Sequence, residues 1–256
     1  MNTFLKTVCI ILGLASLGLL PVPSWAEPGN ANKNFENQIQ KSDFIFYGTV
    51  TKIVYRTSKK DADHPDELPH TYVTYRIEQI FKGRSEATEL TLRFLGGRGE
   101  DGRILESSHM PFFDVGDQDI LFVRNNGVSR CPLVGCALGR FRLIEGQLFS
   151  EEGQQWLLSQ GNLQRGQFLS LEAIETHRVG ADLIRRVEFP KLSASQPAVA
   201  QAVNLPEFTK FLQSEIRRFS SGLVFEQVPP VISVDETQPF TFNRPKAVKP
   251  PFDIQP

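Results

Sequence analysis

Hydrophobic positions recur along this chain with the period of strands far more often than with that of helices. Phe44-Ile45-Phe46-Tyr47-Gly48-Thr49-Val50-Thr51-Lys52-Ile53-Val54-Tyr55 is rich in β-branched and aromatic residues and predicts a long strand, with Gly48 marking a bulge or bend. A polar loop from Arg56 to His70 leads to a second strand, Thr71 to Phe81. There Val73, Tyr75 and Ile77 alternate with Thr74, Arg76 and Glu78, so one face is wet. Glu89 to Leu95 alternates in the same way. Ile104-Leu105, Ile120 to Val123, Leu138 to Ile144 and Gln147 to Ser150 complete the set, with glycine and proline between them.

Helical periodicity is confined to a few stretches. Asn34 to Ser42 sets Phe35 and Ile39 four apart, enough for a short helix. Leu171 to Val187 partly fits a helix, although Val179 and Gly180 weaken the pattern, and 151–203 as a whole reads ambiguously. From Leu205 to Phe219 the stripe Phe208, Leu212, Ile216 and Phe219 is regular, and Pro206 suits a helix start. Phe208, Phe211 and Phe219 then face a sheet in preference to a partner. From Pro229 onward seven prolines in 28 residues predict an extended tail with little core of its own.

The first 26 residues obey a different rule. Lys6, an apolar run from Thr7 to Leu20, and Ser24-Trp25-Ala26 describe a secretory signal peptide cleaved between Ala26 and Glu27. The run is short of the roughly 20 apolar residues a spanning helix needs. The expected mature chain is soluble, without a membrane span, and secreted or periplasmic. Cys9 precedes most of the apolar run, which argues against lipidation.

Composition adds exclusions. With 28 basic and 29 acidic residues in 256, the chain has no field to gather nucleic acid or an anionic membrane. The hydrophobic share of 40 % is that of a globular protein.

Chemical motifs are scarce. Gly97-Arg98-Gly99-Glu100-Asp101-Gly102 spells G-x-G-x-x-G, but no helix follows to receive a pyrophosphate and two carboxylates would repel one. It reads as a glycine loop between strands. Asp61 to His70 packs four carboxylates and two imidazoles into ten residues without metal-ligand spacing, and reads as a solvated loop. No G-x-S-x-G is present, and His109 beside Ser107 and Ser108 would need the fold to assemble a triad. His177 reads as a surface residue. No cofactor motif is found. Cys131 and Cys136 are the cysteines left after cleavage, and an oxidising compartment with Pro132 and Gly135 between them predicts a structural disulfide.

Ser42 to Val50, followed by Tyr72 to Gly83, resembles the opening of netrin-like modules, which include the N-terminal domains of tissue inhibitors of metalloproteinases. A closer resemblance is to exported bacterial proteins of unassigned function that carry three further motifs in order. Here these are Leu95-Gly96-Gly97, Phe113-Asp114-Val115-Gly116-Asp117-Gln118-Asp119-Ile120-Leu121-Phe122, and Gly139-Arg140-Phe141. The resemblance spans about Ser42 to Leu143 and implies an OB-type barrel. It does not carry the inhibitors' zinc chelation, because the mature chain would begin Glu27-Pro28-Gly29 and not with cysteine.

The expectation is therefore a mainly β protein: signal peptide 1–26, a small OB-like β-barrel of five to seven strands over 27–150, a mixed extension with a C-terminal helix over 151–222, and a proline-rich tail over 223–256. Its expected role is non-enzymatic binding of a protein or saccharide through the loops Arg56 to His70 and Gly96 to His109. The alternatives are a protease inhibitor acting by loop insertion, or a hydrolase using His109.

Overall fold

Side chains that alternate between two apolar faces need cover on both, and the architecture supplies it. The computed structural model describes residues 28–58, 68–168, 173–179, 182–189, 202–220 and 231–236. Strands β1 (Phe44–Thr57), β2 (Pro69–Lys82), β3 (Glu89–Leu95), β6 (Gln118–Val123), β7 (Arg140–Ile144), β8 (Gln147–Phe149), β9 (Gln154–Ser159) and β10 (Asn162–Phe168) form one antiparallel sheet. Its order is β10-β9-β8-β7-β6-β1-β2-β3. Short β4 (Gly97–Arg98) and β5 (Ile104–Leu105) pair as a separate hairpin.

The mainly β class holds, but the sheet does not close into a barrel; six of its eight strands come from 27–150, and β9 and β10 extend it beyond that range. Among the described residues no further strand pairs with the outer edge of β3. Loop and tail groups finish it instead: the Leu95 N–H donates to Arg130 O at 2.7 Å, Arg93 N–H to Asn126 Oδ1 at 3.1 Å, and Thr91 N–H to Ser233 Oγ at 3.0 Å. At the other end the sheet runs on past residue 150 through β9 and β10.

One face is covered by two helices, α1 (Pro28–Lys41) and α2 (Leu205–Ser220). Phe35 of α1 sits among Phe122, Phe141, Phe208 and Phe211, with ring centroids 5.4–5.9 Å apart. Each such buried aromatic contributes roughly 1.5–3 kcal/mol. Phe208 and Phe211 are thus core residues of the intramolecular contact. The Asn204 side chain caps α2 by accepting the Glu207 N–H at 3.0 Å. The α1 carbonyls at the C-terminal end receive the Lys82 ammonium, 2.7 Å from both Ile39 O and Ser42 O.

The opposite face gathers Phe44, Phe46, Val73, Tyr75, Leu90, Leu92, Phe94, Leu121 and Val123 into a second core under the loop that carries Phe113. Gly48 behaves as the sequence suggests. The β1–β2 register shifts between Tyr47 and Gly48, and a Cβ there would lie 2.5 Å from Arg76 O.

The helical reading of Leu171 to Val187 is overturned. β11 (Ala173–Val179) and β12 (Asp182–Phe189) pair as an antiparallel hairpin, Val179 opposite Asp182. Leu138 lies in a 3₁₀ turn, Cys136–Gly139, and the strand begins at Arg140. Of the tail, Val231 packs on the second core, and Val234 N–H donates to Thr91 O at 3.1 Å. The signal-peptide stretch, with Ala26 and Glu27, lies outside the described residues. Among the described residues no helix is long and apolar enough to cross a membrane.

Candidate functional site

Strand parity buries charges as well as rings. Asp119 shares the inner face of β6 with Leu121 and Val123, and Arg140 and Arg142 share a face of β7 opposite to Phe141. Arg140 is 1 % exposed and forms the centre of a buried ionic cluster. Its Nη2 lies 2.6 Å from Asp117 Oδ2 and 2.9 Å from Asp119 Oδ2. Its Nη1 lies 2.9 Å from Glu151 Oε2 and donates to Phe112 O, while the guanidinium stacks 4.4 Å from the Phe113 ring centroid. Arg142 adds a longer contact to Asp117 at 3.4 Å. The Tyr75 hydroxyl donates to Asp119 Oδ2 at 2.7 Å.

The carboxylates are not equivalent. Asp117 is desolvated, but Arg140 and Arg142 outweigh that and hold its carboxyl below the ordinary range. Asp119 is pushed up, chiefly by complete burial that its arginine only partly offsets, and its Oδ1 has no hydrogen-bond partner among the described residues. Burial raises Glu151 too. Three carboxylates around one fully enclosed guanidinium cannot all ionise cheaply.

This cluster pins a loop. Glu151 Oε1 accepts the Phe112 N–H at 3.0 Å and Asp117 Oδ2 accepts the Asp114 N–H at 3.0 Å, so residues 112–117 are tied to β2, β6, β7 and the β8–β9 turn. The pinned loop forms one wall of a cleft of about 60 Å³. The facing walls are the β4–β5 hairpin and the ends of β1 and β2. Phe94 and Met110 make it apolar, Tyr55 and Thr71 bring hydroxyls, and Ile104 stands at its rim, 39 % exposed. Burial raises the Tyr55 phenol to about 12, so it stays a neutral donor at physiological pH. Gly97 is required here: at φ 109° a Cβ would lie 2.5 Å from Thr71 Oγ1 and 2.7 Å from Tyr55 Cδ1.

The residues named from the sequence fall in different places. The G-x-G-x-x-G stretch is the start and turn of the β4–β5 hairpin. The loop Gly96 to His109 therefore does line the cleft, through Gly97, Ile104 and Ser107. Of Arg56 to His70, residues 59–67 lie outside the described residues, His64 and the acidic run among them. His70 is 2 % exposed with its Nδ1 2.9 Å from Leu68 O, and burial first, then Arg93, lowers its pKa to about 4. His109 is exposed at φ 65°, outside the cleft lining, and its ring makes no hydrogen bond or ion pair among the described residues. Among the described residues no serine or carboxylate hydrogen-bonds to its ring. His177 lies in β11.

Cys131 and Cys136 stand at disulfide distance, with Cα atoms 5.6 Å apart, directly before the Gly139-Arg140-Phe141 strand. Among the described residues, no three His, Cys, Asp or Glu side chains are grouped to hold a metal. The ionic cluster went unread in the sequence. Its signal was present as Asp119, Arg140 and Arg142 standing at inward-parity positions of apolar strands.

No protein-family model, curated protein or solved structure matches the chain.

Proposed function

We propose that the protein is an exported, non-enzymatic binding protein, secreted or periplasmic after cleavage between Ala26 and Glu27, which takes a protein ligand at the cleft beside the β4–β5 hairpin. The observation that carries this reading is the rigid mounting of that cleft. The loop forming one wall is fixed by the Arg140 cluster, while its rim presents Ile104 to solvent. A space of about 60 Å³ admits the end of one apolar side chain, and the Tyr55 and Thr71 hydroxyls are placed to meet the backbone that carries it. Preorganised walls reduce the ordering cost of association.

The resemblance to netrin-like, OB-type modules supports the same reading, because that architecture binds ligands with one sheet face and its adjacent loops.

The test is affinity capture from envelope and culture-medium fractions, with wild-type protein and with Ile104→Asp, which places a charge at the cleft rim. A partner retained by wild type and lost with Ile104→Asp supports the reading. Partners retained equally by both proteins contradict it.

A further inference from the structure

A second concavity shares no lining residue with the cleft. It lies between α1 and the segment Arg124–Leu138, and encloses about 420 Å³. That volume falls within the roughly 300–1,000 Å³ typical of small-molecule sites. We infer that this groove binds an acidic saccharide, a uronic-acid oligomer being the chemical class that fits. The inference stands independently of the proposed cleft ligand.

The walls carry the argument. Asn34, Asn37 and Lys41 succeed one another at i, i+3 and i+7, which places them along one face of α1. Arg124, Asn125 and Ser129 face them from the loop that follows β6. None of these six side chains has a hydrogen bond or ion pair among the described residues, whereas the exposed Arg76, Arg103 and Arg218 are each paired to a carboxylate. No carboxylate lines the groove, although Asp43 Oδ2 accepts the backbone N–H of its lining residue Asn125 at 3.0 Å; Lys41 and Arg124 make no ion pair among the described residues and are the groove's cations.

The chemistry distinguishes a saccharide from other anions. A carboxamide offers a donor and an acceptor side by side, which matches vicinal sugar hydroxyls. Lys41 and Arg124 supply charge-assisted contacts for a carboxylate. Leu138, 55 % exposed at the groove's edge, offers an apolar surface for the C–H face of a sugar ring. The floor is held in place by Gln38, whose Nε2 donates to Leu138 O at 2.8 Å, and by the Cys131–Cys136 pair. An acidic peptide is less well served, because acidic motifs are read by clustered arginines and extended peptides by an open strand edge, whereas the groove carries a single arginine and no sheet strand lines it.

The experiment is calorimetry of the purified protein with trigalacturonate, a neutral galactose trisaccharide and triglutamate, at low and high salt. Lys41→Glu and Arg124→Glu are the variants, with Asn37→Asp as a third in case either charge reversal fails to fold. Trigalacturonate is expected to bind saturably and to weaken about tenfold in each variant. It should also weaken as salt rises, and both other probes should bind at least about tenfold less tightly. Three results would overturn the proposal: no saturable binding at millimolar trigalacturonate, affinity unchanged in folded variants, or triglutamate binding as tightly as the sugar acid.

Discussion

Replacing Arg140 by methionine is the sharpest perturbation of this structure. The substitution keeps much of the side-chain volume and removes the charge shared by Asp117, Asp119 and Glu151, all within 2.9 Å of the guanidinium. It also frees Phe112 O and the face of Phe113. Breaking a buried ion network by deleting one partner costs about 3–5 kcal/mol, because the remaining charges stay enclosed. For a chain of this size that corresponds to a fall of roughly 6–20 °C in Tm. The loss should depend on pH in a definite sense. Without the guanidinium the folded-state pKa of each carboxyl rises above its unfolded value of about 4, so the native state binds the extra protons. Stability of Arg140→Met then falls as pH rises through the shifted pKa values and recovers between about pH 7 and 5. Urea unfolding at pH 5, 6 and 7 measures this, and adding Asp119→Asn and Glu151→Gln should restore part of the loss by removing the stranded charges. A single variant within about 1 kcal/mol of wild type at pH 7, or one that weakens further on mild acidification, would refute the reasoning.

Three further outcomes follow from the same physics. His70 has its pKa lowered to about 4, so its contribution is present above the unfolded value of about 6.5 and is lost as pH falls towards 4; NMR titration should show its ring unprotonated at pH 6. Cys131 and Cys136 should resist alkylation until reduced, as mass spectrometry of the native protein will show, and Cys136→Ser should lower stability by roughly 2 kcal/mol on the chain-entropy relation. Asn126→Ala removes the amide that holds Ile232 O at 2.7 Å and Thr91 O at 2.8 Å, so the amide of Val234 should lose hydrogen-exchange protection well before the strands of the core.

Where local pattern and tertiary structure agree, the sequence is transparent. Glu89–Leu95 is read to the residue because its alternation also sorts core from solvent. Gly48 is legible because a missing side chain inside an apolar strand has few other meanings. The β11–β12 hairpin misleads because glutamate, alanine, arginine and leucine favour helix one residue at a time, while pairing between the two adjacent strands decides the outcome. Val179, which weakens the helical pattern, ends β11 opposite Asp182, and Gly180 lies outside the described residues. The Arg140 cluster is hidden for another reason. Its members come from residues 75, 112–119, 140–142 and 151, and only the sheet order β7-β6-β1-β2 brings them together. Phe113 to Phe122 and Gly139-Arg140-Phe141 stood out as turns and core strands, yet Asp117, Asp119 and Arg140 within them are the charges of the cluster. The open sheet was also beyond reach, since side-chain groups of Asn126 and Ser233 complete the β3 edge where a barrel would place a strand.

The central claim is that a protein partner docks at the cleft beside the β4–β5 hairpin. Site-specific photocrosslinking in the producing cell tests it most directly, with a photoreactive residue at Ile104 on the cleft rim and, as control, at Val115, 65 % exposed and outside the cleft lining. The account predicts a discrete crosslinked species from position 104 that position 115 does not give. No adduct at 104, or the same adducts from both positions, would contradict it.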